Sequence, residues 1–255
     1  MKFLKKGVLW LFAISVAVYL TTCLTDINFI YKAILYYYAD IDDYKIFANN
    51  KVGAGISQPW PVSKSYQQKT LSKSLSTELD TLNSVAFVIV QHDSLVFEKY
   101  WDDYSDSSLS NSFSVAKSIV SLLTGIALQE GKIKSLDEPI GDFLPQFSSG
   151  LKSKITIRHL LTMSSGTNWD ESYSSPLSPT TEAYYGNDLM KTVCNVDVVK
   201  TPGTEWRYKS GDTELLGLVL EKATGKSLSN YASEKLWKPI GAVHNALWST
   251  DEKDG

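Results

Sequence analysis

An apolar helix near the middle of the chain restricts the possible folds more than any other feature. Residues 115–130 read Val-Ala-Lys-Ser-Ile-Val-Ser-Leu-Leu-Thr-Gly-Ile-Ala-Leu-Gln-Glu, and Gly131 follows. A glycine just past the last helical residue is a typical helix stop, and apolar residues nearly all round indicate a helix buried on most sides. The sequence therefore predicts a globular domain built around this helix.

The same helix begins with a Ser-x-x-Lys pattern formed by Ser114 and Lys117. A spacing of three places both side chains on one helix face, within reach of each other. A serine hydroxyl needs a base to become a nucleophile, and a neutral lysine amine is able to take its proton. Burial and the positive end of the helix dipole both disfavour the protonated amine. The pattern thus indicates a nucleophile and its base, although a capping serine beside a solvated lysine gives the same four letters.

Three neighbouring segments complete the predicted domain. Two β-rich runs at 84–90 and 95–101 flank a short polar turn and predict a hairpin, with His92 as a surface residue of that turn. Thr156 is expected to open a short helix in which His159 packs or caps. Asp212 is expected to cap a helix over residues 213–224.

Two stretches have the composition of irregular structure. Residues 48–75 are rich in Ser, Gln, Pro and Lys and indicate a linker or lead-in. Residues 167–186 indicate a long loop, and loops of this length in compact domains are commonly functional. Two of its aromatic side chains, Trp169 and Tyr184, are therefore expected to contact substrate.

The N-terminal sequence has the pattern of a membrane anchor or an export signal. A lysine cluster precedes residues 7–25, an uncharged run of about 19 residues, which is near the length of a membrane-spanning helix. The positive flank predicts a single anchor with the N-terminus in the cytoplasm and the rest of the chain outside it. A cleaved signal peptide and a lipoprotein signal ending at Cys23 are the alternatives, and both also predict export. Residues 30–47 either rest at the membrane interface or form a strap on the globular domain.

These patterns divide the chain into an anchor or signal segment (1–25), a juxtamembrane segment and linker (26–75) and a catalytic domain (76–255). The net charge of −3 gives no reason to expect a nucleic-acid partner. Cys23 lies in the first apolar run, so a disulfide with Cys194 is not expected. The isolated histidines lack metal-site spacing, and neither a metal nor a cofactor is predicted.

Several motifs together resemble a known family. They are Phe-Ser-Val-Ala-Lys-Ser at 113–118, Leu-Asp-Glu-Pro at 136–139, Ile-Arg-His-Leu-Leu-Thr-Met-Ser-Ser-Gly at 157–166, and Pro-Gly-Thr-Glu-Trp-Arg-Tyr-Lys-Ser at 202–210. This order is similar to that of the class C β-lactamase-like serine hydrolases, which include β-lactamases, D-alanyl-D-alanine carboxypeptidases, esterases and 6-aminohexanoate-dimer hydrolases. Residues 236–249 look most like the last of these branches. The resemblance implies an α/β (α+β) fold, with an antiparallel sheet flanked by helices and a mainly helical insert.

The resemblance also assigns roles to individual residues. It implies that Ser114 is the nucleophile, Lys117 its base and Tyr208 the residue that relays the proton to the leaving group. Ser210 stands where the family has a substrate-binding asparagine, and its shorter hydroxyl puts β-lactam turnover in doubt more than ester or amide hydrolysis. The implied function is a serine hydrolase that forms an acyl-enzyme with a small ester, amide or peptide substrate.

A membrane-anchored penicillin-recognising sensor, which is acylated without turnover, is the alternative function. A Ser-His-Asp hydrolase is not indicated, because the chain has no Gly-x-Ser-x-Gly motif. The family's third motif, on a strand well downstream of the tyrosine, is not found before Gly255. The sequence is therefore expected to be a C-terminally truncated copy that lacks the last strands of the sheet.

Overall fold

The computed structural model describes the backbone of residues 2–251 and the side chains of residues 10–251. The helices of this part are α1 (Lys2–Leu24), α2 (Phe29–Tyr36), α3 (Lys73–Thr81), α4 (Ala116–Gln129), α5 (Ile157–Leu161), α6 (Pro179–Tyr185), α7 (Leu189–Cys194), α8 (Ser210–Thr224) and α9 (Leu228–Ala232). The strands are β1 (Ala48–Val52), β2 (Ala86–Gln91), β3 (Ser94–Tyr100) and β4 (Ala246–Thr250). Short 3₁₀ turns, including Phe113–Val115, connect several of them. The mixed class with small antiparallel sheets and many helices confirms the predicted fold class.

The core forms where α4 crosses α8. Val120, Leu123 and Ala127 of α4 are buried, as the spacing of one helix face requires. The buried apolar residues of α8 are Leu215, Leu216, Val219 and Leu220. A layer of 3₁₀ turns between α4 and α5 covers the same core with Ile140, Leu144 and Phe147.

The prediction that α4 is buried on most sides was wrong. Leu122 is 54% exposed and Val115, just before the helix, is 64% exposed, so only one face of α4 is packed. Apolar composition all round does not distinguish a helix with one packed face from a fully buried one. Glu130 ends the helix and Gly131 follows with φ +67°, which confirms the predicted glycine stop.

The strands form two separate antiparallel pairs. β2 and β3 form the predicted hairpin, with Ala86 opposite Tyr100 and a bulge between Ile89 and Val90. His92 and Asp93 both have positive φ, as a two-residue hairpin turn requires, and His92 is exposed there as predicted. β1 pairs with β4, so Ala48 faces Thr250 from the other end of the chain. The interpretation of residues 48–75 as an irregular linker was therefore wrong for β1.

Two further predictions about local structure need correction, and one is confirmed. Residues 167–186 are not one loop, because Ser178 caps α6 and Pro179 occupies its first turn. Asp212 does not cap α8, which begins two residues earlier at Ser210, and it lies fully buried in the first turn. His159 closes a capping box with Thr156 at the start of α5, which confirms its predicted role as a capping side chain.

The N-terminal helices pack against the domain through α2. Phe29 and Ala33 are buried on α6, and the Tyr36 ring stacks on Tyr185 with centroids 6.2 Å apart. Residues 30–47 therefore form the strap on the globular domain that the sequence left as one of two alternatives. Tyr37 and Tyr38, on the outer side, are more than 70% exposed.

Within residues 10–251, no single helix is both long and apolar enough to cross a bilayer. The segments Trp10–Leu24 and Phe29–Tyr36 meet that condition only together, across a bend of 112°. The single spanning anchor predicted from the sequence is thus not supported. The side chains of the N-terminal lysine cluster, and the residues after 251 on which the predicted truncation depends, lie outside the described part.

Candidate active site

Ser114 lies at the exposed entrance to α4. It is the middle residue of the 3₁₀ turn Phe113–Val115, which runs directly into the helix. The preceding residue Phe113 has φ +43°, a left-handed conformation that costs a bulky side chain energy and that is common at functional sites. This turn directs a serine hydroxyl to the surface at the positive end of a 14-residue helix.

The structure brings together the three residues to which the sequence assigned catalysis. Lys117 Nζ donates a hydrogen bond to Ser114 Oγ at 3.3 Å. Ser114 Oγ also lies 2.6 Å from Tyr208 Oη, and either hydroxyl is able to donate in that contact. Lys117 Nζ lies 5.3 Å from the centre of the Tyr208 ring. The serine hydroxyl thus touches two groups that are able to exchange a proton with it.

Tyr208 is held in an extended segment just before α8. The backbone N–H of Arg207 donates to Met163 O at 3.0 Å, and the ammonium group of Lys209 donates to Thr167 O at 2.7 Å. Gly166 lies between these two acceptors, and a Cβ there would come 2.2 Å from Lys200 O. Glycine is therefore required where this acceptor segment approaches the backbone of Lys200.

Ser210 is engaged by a carboxylate that the sequence did not single out. Its backbone N–H and its hydroxyl donate to the two oxygens of Glu171, at 2.6 and 2.5 Å. Trp169 Nε1 at 2.9 Å and Tyr173 Oη at 2.6 Å donate to the same carboxylate. Burial alone would raise the pKa of Glu171, but the hydrogen bonds from Ser210, Tyr173 and Trp169 together hold it below its usual value. Glu171 thus fixes the start of α8.

Trp169 lies in the core beneath this part of the site. It is 2% exposed, and a Cβ on Gly211 would come 2.5 Å from its ring. The ring therefore supports Glu171 and the first turn of α8 from below. Its indole N–H reaches Ser210 only through the shared carboxylate of Glu171.

Tyr184 belongs to a different cluster. Its hydroxyl donates to Asp43 at 3.0 Å, and its ring makes edge contacts with Phe47 and Tyr185 at centroid distances of 5.0 and 4.9 Å. Burial, reinforced by Asp43, raises the pKa of Tyr184. These contacts join the strap to α6, and none of them involves Ser114.

A buried polar cluster behind Tyr208 was also missed. Lys209 is 2% exposed and Asp212 is fully buried, and both contact the hydroxyls of Ser165 and Thr167. Burial lowers the pKa of Lys209. Burial also raises the pKa of Asp212 to about 6, although Ser165 and Lys209 oppose that shift. The sequence gives only a weak signal for this buried cluster, because most lysines that precede an apolar helix are solvated.

Glu214 interacts electrostatically with both Lys117 and Glu171. Burial raises the pKa of Glu214, Lys117 opposes the shift and Glu171 adds to it.

Two aromatic side chains that adjoin the site in sequence are open to solvent: Phe113 is 44% exposed and Trp206 is 68% exposed. Among the described side chains of residues 10–251, no group of three or more His, Cys, Asp and Glu is arranged to hold a metal ion.

Comparison with known proteins agrees with the fold and with the motifs. Residues 73–255 match the Beta-lactamase family model, which is more than half of the chain. The chain therefore belongs to this family, within the serine β-lactamase-like superfamily.

The curated relatives are distant and longer. The chain is 28% identical over 154 residues to "Putative penicillin-binding protein PbpX" of Bacillus subtilis, covering 59% of this chain and 37% of that protein. It is 28% identical over 137 residues to "Protein flp" of Staphylococcus aureus, covering 51% of this chain and 27% of the relative. The chain thus spans well under half the length of these relatives.

Two solved structures share the fold. "Putative 6-aminohexanoate-dimer hydrolase" from Bacillus anthracis superposes with a TM-score of 0.66 at 21% identity, over 83% of this chain and 61% of that one. A structure described as a "putative beta-lactamase" from Bacteroides dorei superposes with a TM-score of 0.56 at 26% identity, over 67% of this chain and 50% of that one. These likenesses agree with the predicted α/β class.

Proposed function

We propose that the protein is a serine hydrolase that forms an acyl-enzyme on Ser114 and hydrolyses an ester or amide bond. One observation carries the proposal: Ser114 Oγ contacts Lys117 Nζ at 3.3 Å and Tyr208 Oη at 2.6 Å. A hydroxyl that touches two proton-exchanging groups, at the start of a helix, is the arrangement an activated serine needs. Membership of the Beta-lactamase family supports the same chemistry.

The proposed reaction has two halves. Ser114 Oγ attacks the carbonyl carbon while its proton passes to Lys117, and the helix dipole favours the negative charge that develops nearby. The carbon–leaving-group bond then breaks, and Tyr208 relays the proton to the departing oxygen or nitrogen. Water attacks the acyl-enzyme in the second half, with the proton moving in the opposite direction. Release of the acid restores the Ser114 hydroxyl.

We propose small esters, amides or peptides as substrates, because the nucleophile is exposed and exposed aromatic rings adjoin it in sequence. Phe113 precedes Ser114 directly, and Trp206 lies two residues before Tyr208. Exposed aromatic surface of this kind suits an uncharged acyl group. In this proposal Ser210 binds substrate only through the lone pairs of its oxygen, since its proton is donated to Glu171.

We also propose that the protein works at the outer face of a membrane. Support comes from apolar side chains that α1 and α2 leave more than half exposed, including Trp10, Phe12, Ile34 and Leu35. The basic N-terminal residues add to it. Membrane fractionation with and without alkaline carbonate, followed by protease treatment of intact cells, tests this location. Recovery in the soluble fraction without carbonate, or resistance to protease in intact cells, would contradict this location.

A sensor that is acylated without turnover is the second candidate. The observation that favours it is that Ser210, which stands where the family has an asparagine, already donates its hydroxyl proton to Glu171 and so has no side-chain donor left for a bound acyl group. A stoichiometric burst with a chromogenic ester or with nitrocefin, and no steady-state rate afterwards, would favour the sensor. Continued turnover would favour the hydrolase.

Active-site labelling tests both candidates. A fluorophosphonate and a fluorescent penicillin are each incubated with the protein, and the adduct is located by peptide mass spectrometry. We expect the adduct on Ser114 and no labelling of Ser114→Ala. An adduct on another serine would contradict the assignment.

A further inference from the structure

The segment that carries Tyr208 is anchored on both sides of the tyrosine. On the N-terminal side, the Arg207 backbone donates to Met163 O at 3.0 Å. On the C-terminal side, the Lys209 side chain reaches Thr167 O at 2.7 Å. Both acceptors belong to the short segment between α5 and Asn168, so the two anchors fix Tyr208 relative to one piece of backbone.

The Lys209 anchor is unusual because an ammonium group is buried to make it. Lys209 is 2% exposed, and its Nζ also contacts the hydroxyls of Ser165 at 3.4 Å and Thr167 at 3.2 Å. Burying an ammonium group is unfavourable unless hydrogen bonds and an opposite charge compensate. An apolar side chain would fill the same space without that cost, so packing alone does not account for a lysine here.

The opposite charge is supplied by Asp212 from the first turn of α8. Ser165 Oγ donates to Asp212 Oδ1 at 2.6 Å, and Thr167 Oγ1 lies 3.5 Å from the same oxygen. The two hydroxyls therefore bridge the ammonium group and the carboxylate. Asp212 Oδ2 is buried without a hydrogen-bond partner among the described residues, so the carboxylate is held at a cost of its own.

We infer that Lys209 is a positioning residue for Tyr208: through Thr167, Ser165 and Asp212 it holds the tyrosine hydroxyl against Ser114. The inference rests on the proposed function for its kinetic consequence, since Tyr208 is the proposed proton relay. A shift of about 1 Å in a catalytic group is enough to cost up to about 10²-fold in rate. Lys209 directly follows Tyr208 in the sequence. Loss of the hydrogen bonds made by the Lys209 side chain therefore releases the backbone next to the tyrosine and allows its ring to move.

The test replaces Lys209 in two versions of the protein, one with Tyr208 and one with Tyr208→Phe. Lys209→Met keeps the length of the side chain and removes the charge, and Lys222→Met, at an exposed position of α8, is the matched control. The rate of Ser114 labelling by a fluorophosphonate is measured for each variant with Tyr208 and with Tyr208→Phe. We expect Lys209→Met to slow labelling by roughly 10-fold with Tyr208 present. With phenylalanine at 208 its effect is expected to stay within about 2-fold, because a residue that acts through Tyr208 has nothing left to position.

A second measurement does not depend on activity. Tyrosine labelled with ¹³C at Cζ gives one NMR signal per tyrosine, and the Tyr208→Phe variant assigns the signal of Tyr208. We expect Lys209→Met to shift or broaden this signal and Lys222→Met to leave it unchanged. Lys209→Met/Asp212→Asn removes both buried charges and serves if the single variant fails to fold, with the same expected change.

The possible outcomes distinguish the positioning role of Lys209 from the proposed function. An unchanged Tyr208 signal in a folded Lys209 variant overturns the inference, as does a rate loss of equal size in both backgrounds. Absence of a Ser114 adduct in the unaltered protein overturns the proposed function, and the NMR signal then decides the positioning role alone.

Discussion

Ser114 Oγ lies 2.6 Å from Tyr208 Oη, although 94 positions separate the two residues in the sequence. The contact joins the turn before α4 to the segment before α8, and both of these helices contribute buried residues to the core. Packing of α4 against α8 therefore contributes to the distance between the two hydroxyls. Because the core and the site share the α4–α8 contact, substitutions in this contact are expected to affect both stability and activity.

Replacement of Ser114 by alanine removes the only atom that the proposed mechanism acylates. We expect a loss of turnover on the order of 10⁶-fold, as found for nucleophiles of other serine hydrolases. Ser121→Ala, at an exposed position of the same helix, is the control and should retain full activity. The measurement is hydrolysis of p-nitrophenyl acetate together with fluorophosphonate labelling. Residual labelling of Ser114→Ala at the unaltered rate would contradict the assignment.

Replacement of Tyr208 by phenylalanine keeps the ring and removes the hydroxyl that contacts Ser114. Loss of general acid–base assistance typically costs about 10²–10⁴-fold, and we expect kcat to fall within that range. Tyr38→Phe, at a position 74% exposed on the strap, is the control. An unchanged kcat would show that the proton takes another path.

Local patterns predicted the parts of the site that are local in sequence. Ser114 and Lys117 are three residues apart, so spacing predicted that their side chains lie within reach of each other, and the family resemblance supplied their roles. The β2–β3 hairpin was predicted from two β-rich runs around a short polar turn. Tyr208 lies far from Ser114 along the chain. Its place in the site was predicted from the family resemblance, because no periodicity encodes a contact over that separation.

The features that were missed depend on contacts between distant segments. β1 has the sequence Ala-Asn-Asn-Lys-Val, which shows no alternation of apolar and polar residues, and its partner β4 begins at Ala246. Glu171 stands in a loop that is rich in polar residues, and only the fold shows that it receives both donors of Ser210. Asp212 was expected to cap a helix because Asp is a common cap, but the helix starts earlier and buries it.

Replacement of Glu171 by glutamine should loosen the start of α8. Each oxygen of the carboxylate accepts two hydrogen bonds, so the single oxygen of glutamine keeps an acceptor for only two of the four donors, and its bonds are no longer charge-assisted. A buried donor left without an acceptor costs about 1–3 kcal/mol, so we expect a lower Tm and a lower kcat. Glu78→Gln, exposed on α3, is the control.

The pH dependence of the same variant provides a second check. Because the folded pKa of Glu171 is lowered, its contribution to stability is present above the unfolded value of about 4.5 and is lost as the pH falls through the folded value. Glutamine does not titrate, so the Tm of Glu171→Gln should fall less than that of the unaltered protein below pH 4.5. Parallel Tm curves in acid would argue against a stabilising role for this carboxylate.

Replacement of Asp212 by asparagine tests the buried cluster behind Tyr208. The folded pKa of Asp212 is about 6, above its ordinary value of 3.8, so the protonated form is favoured by folding. Stability from this group is then fully present below pH 3.8 and is lost as the pH rises through about 6. Between pH 7 and pH 5 the group should add about 1 kcal/mol to the free energy of unfolding. In a chain of this size that gain corresponds to a Tm increase of roughly 2–4 °C.

Asparagine keeps the shape of Asp212 and does not titrate, so the Tm of Asp212→Asn should change less between pH 7 and pH 5. Asp80→Asn, at an exposed position of α3, is the control and should follow the unaltered protein. Glu214, whose pKa is also raised by burial, titrates in the same direction in all three proteins, so the comparison isolates Asp212. Lys209 faces Asp212 across the Ser165 and Thr167 hydroxyls; burial lowers its pKa, and Asp212 opposes that shift. Thermal unfolding followed by circular dichroism at half-unit pH steps gives the curves, and equal slopes for Asp212→Asn and the unaltered protein would show that Asp212 does not titrate near pH 6.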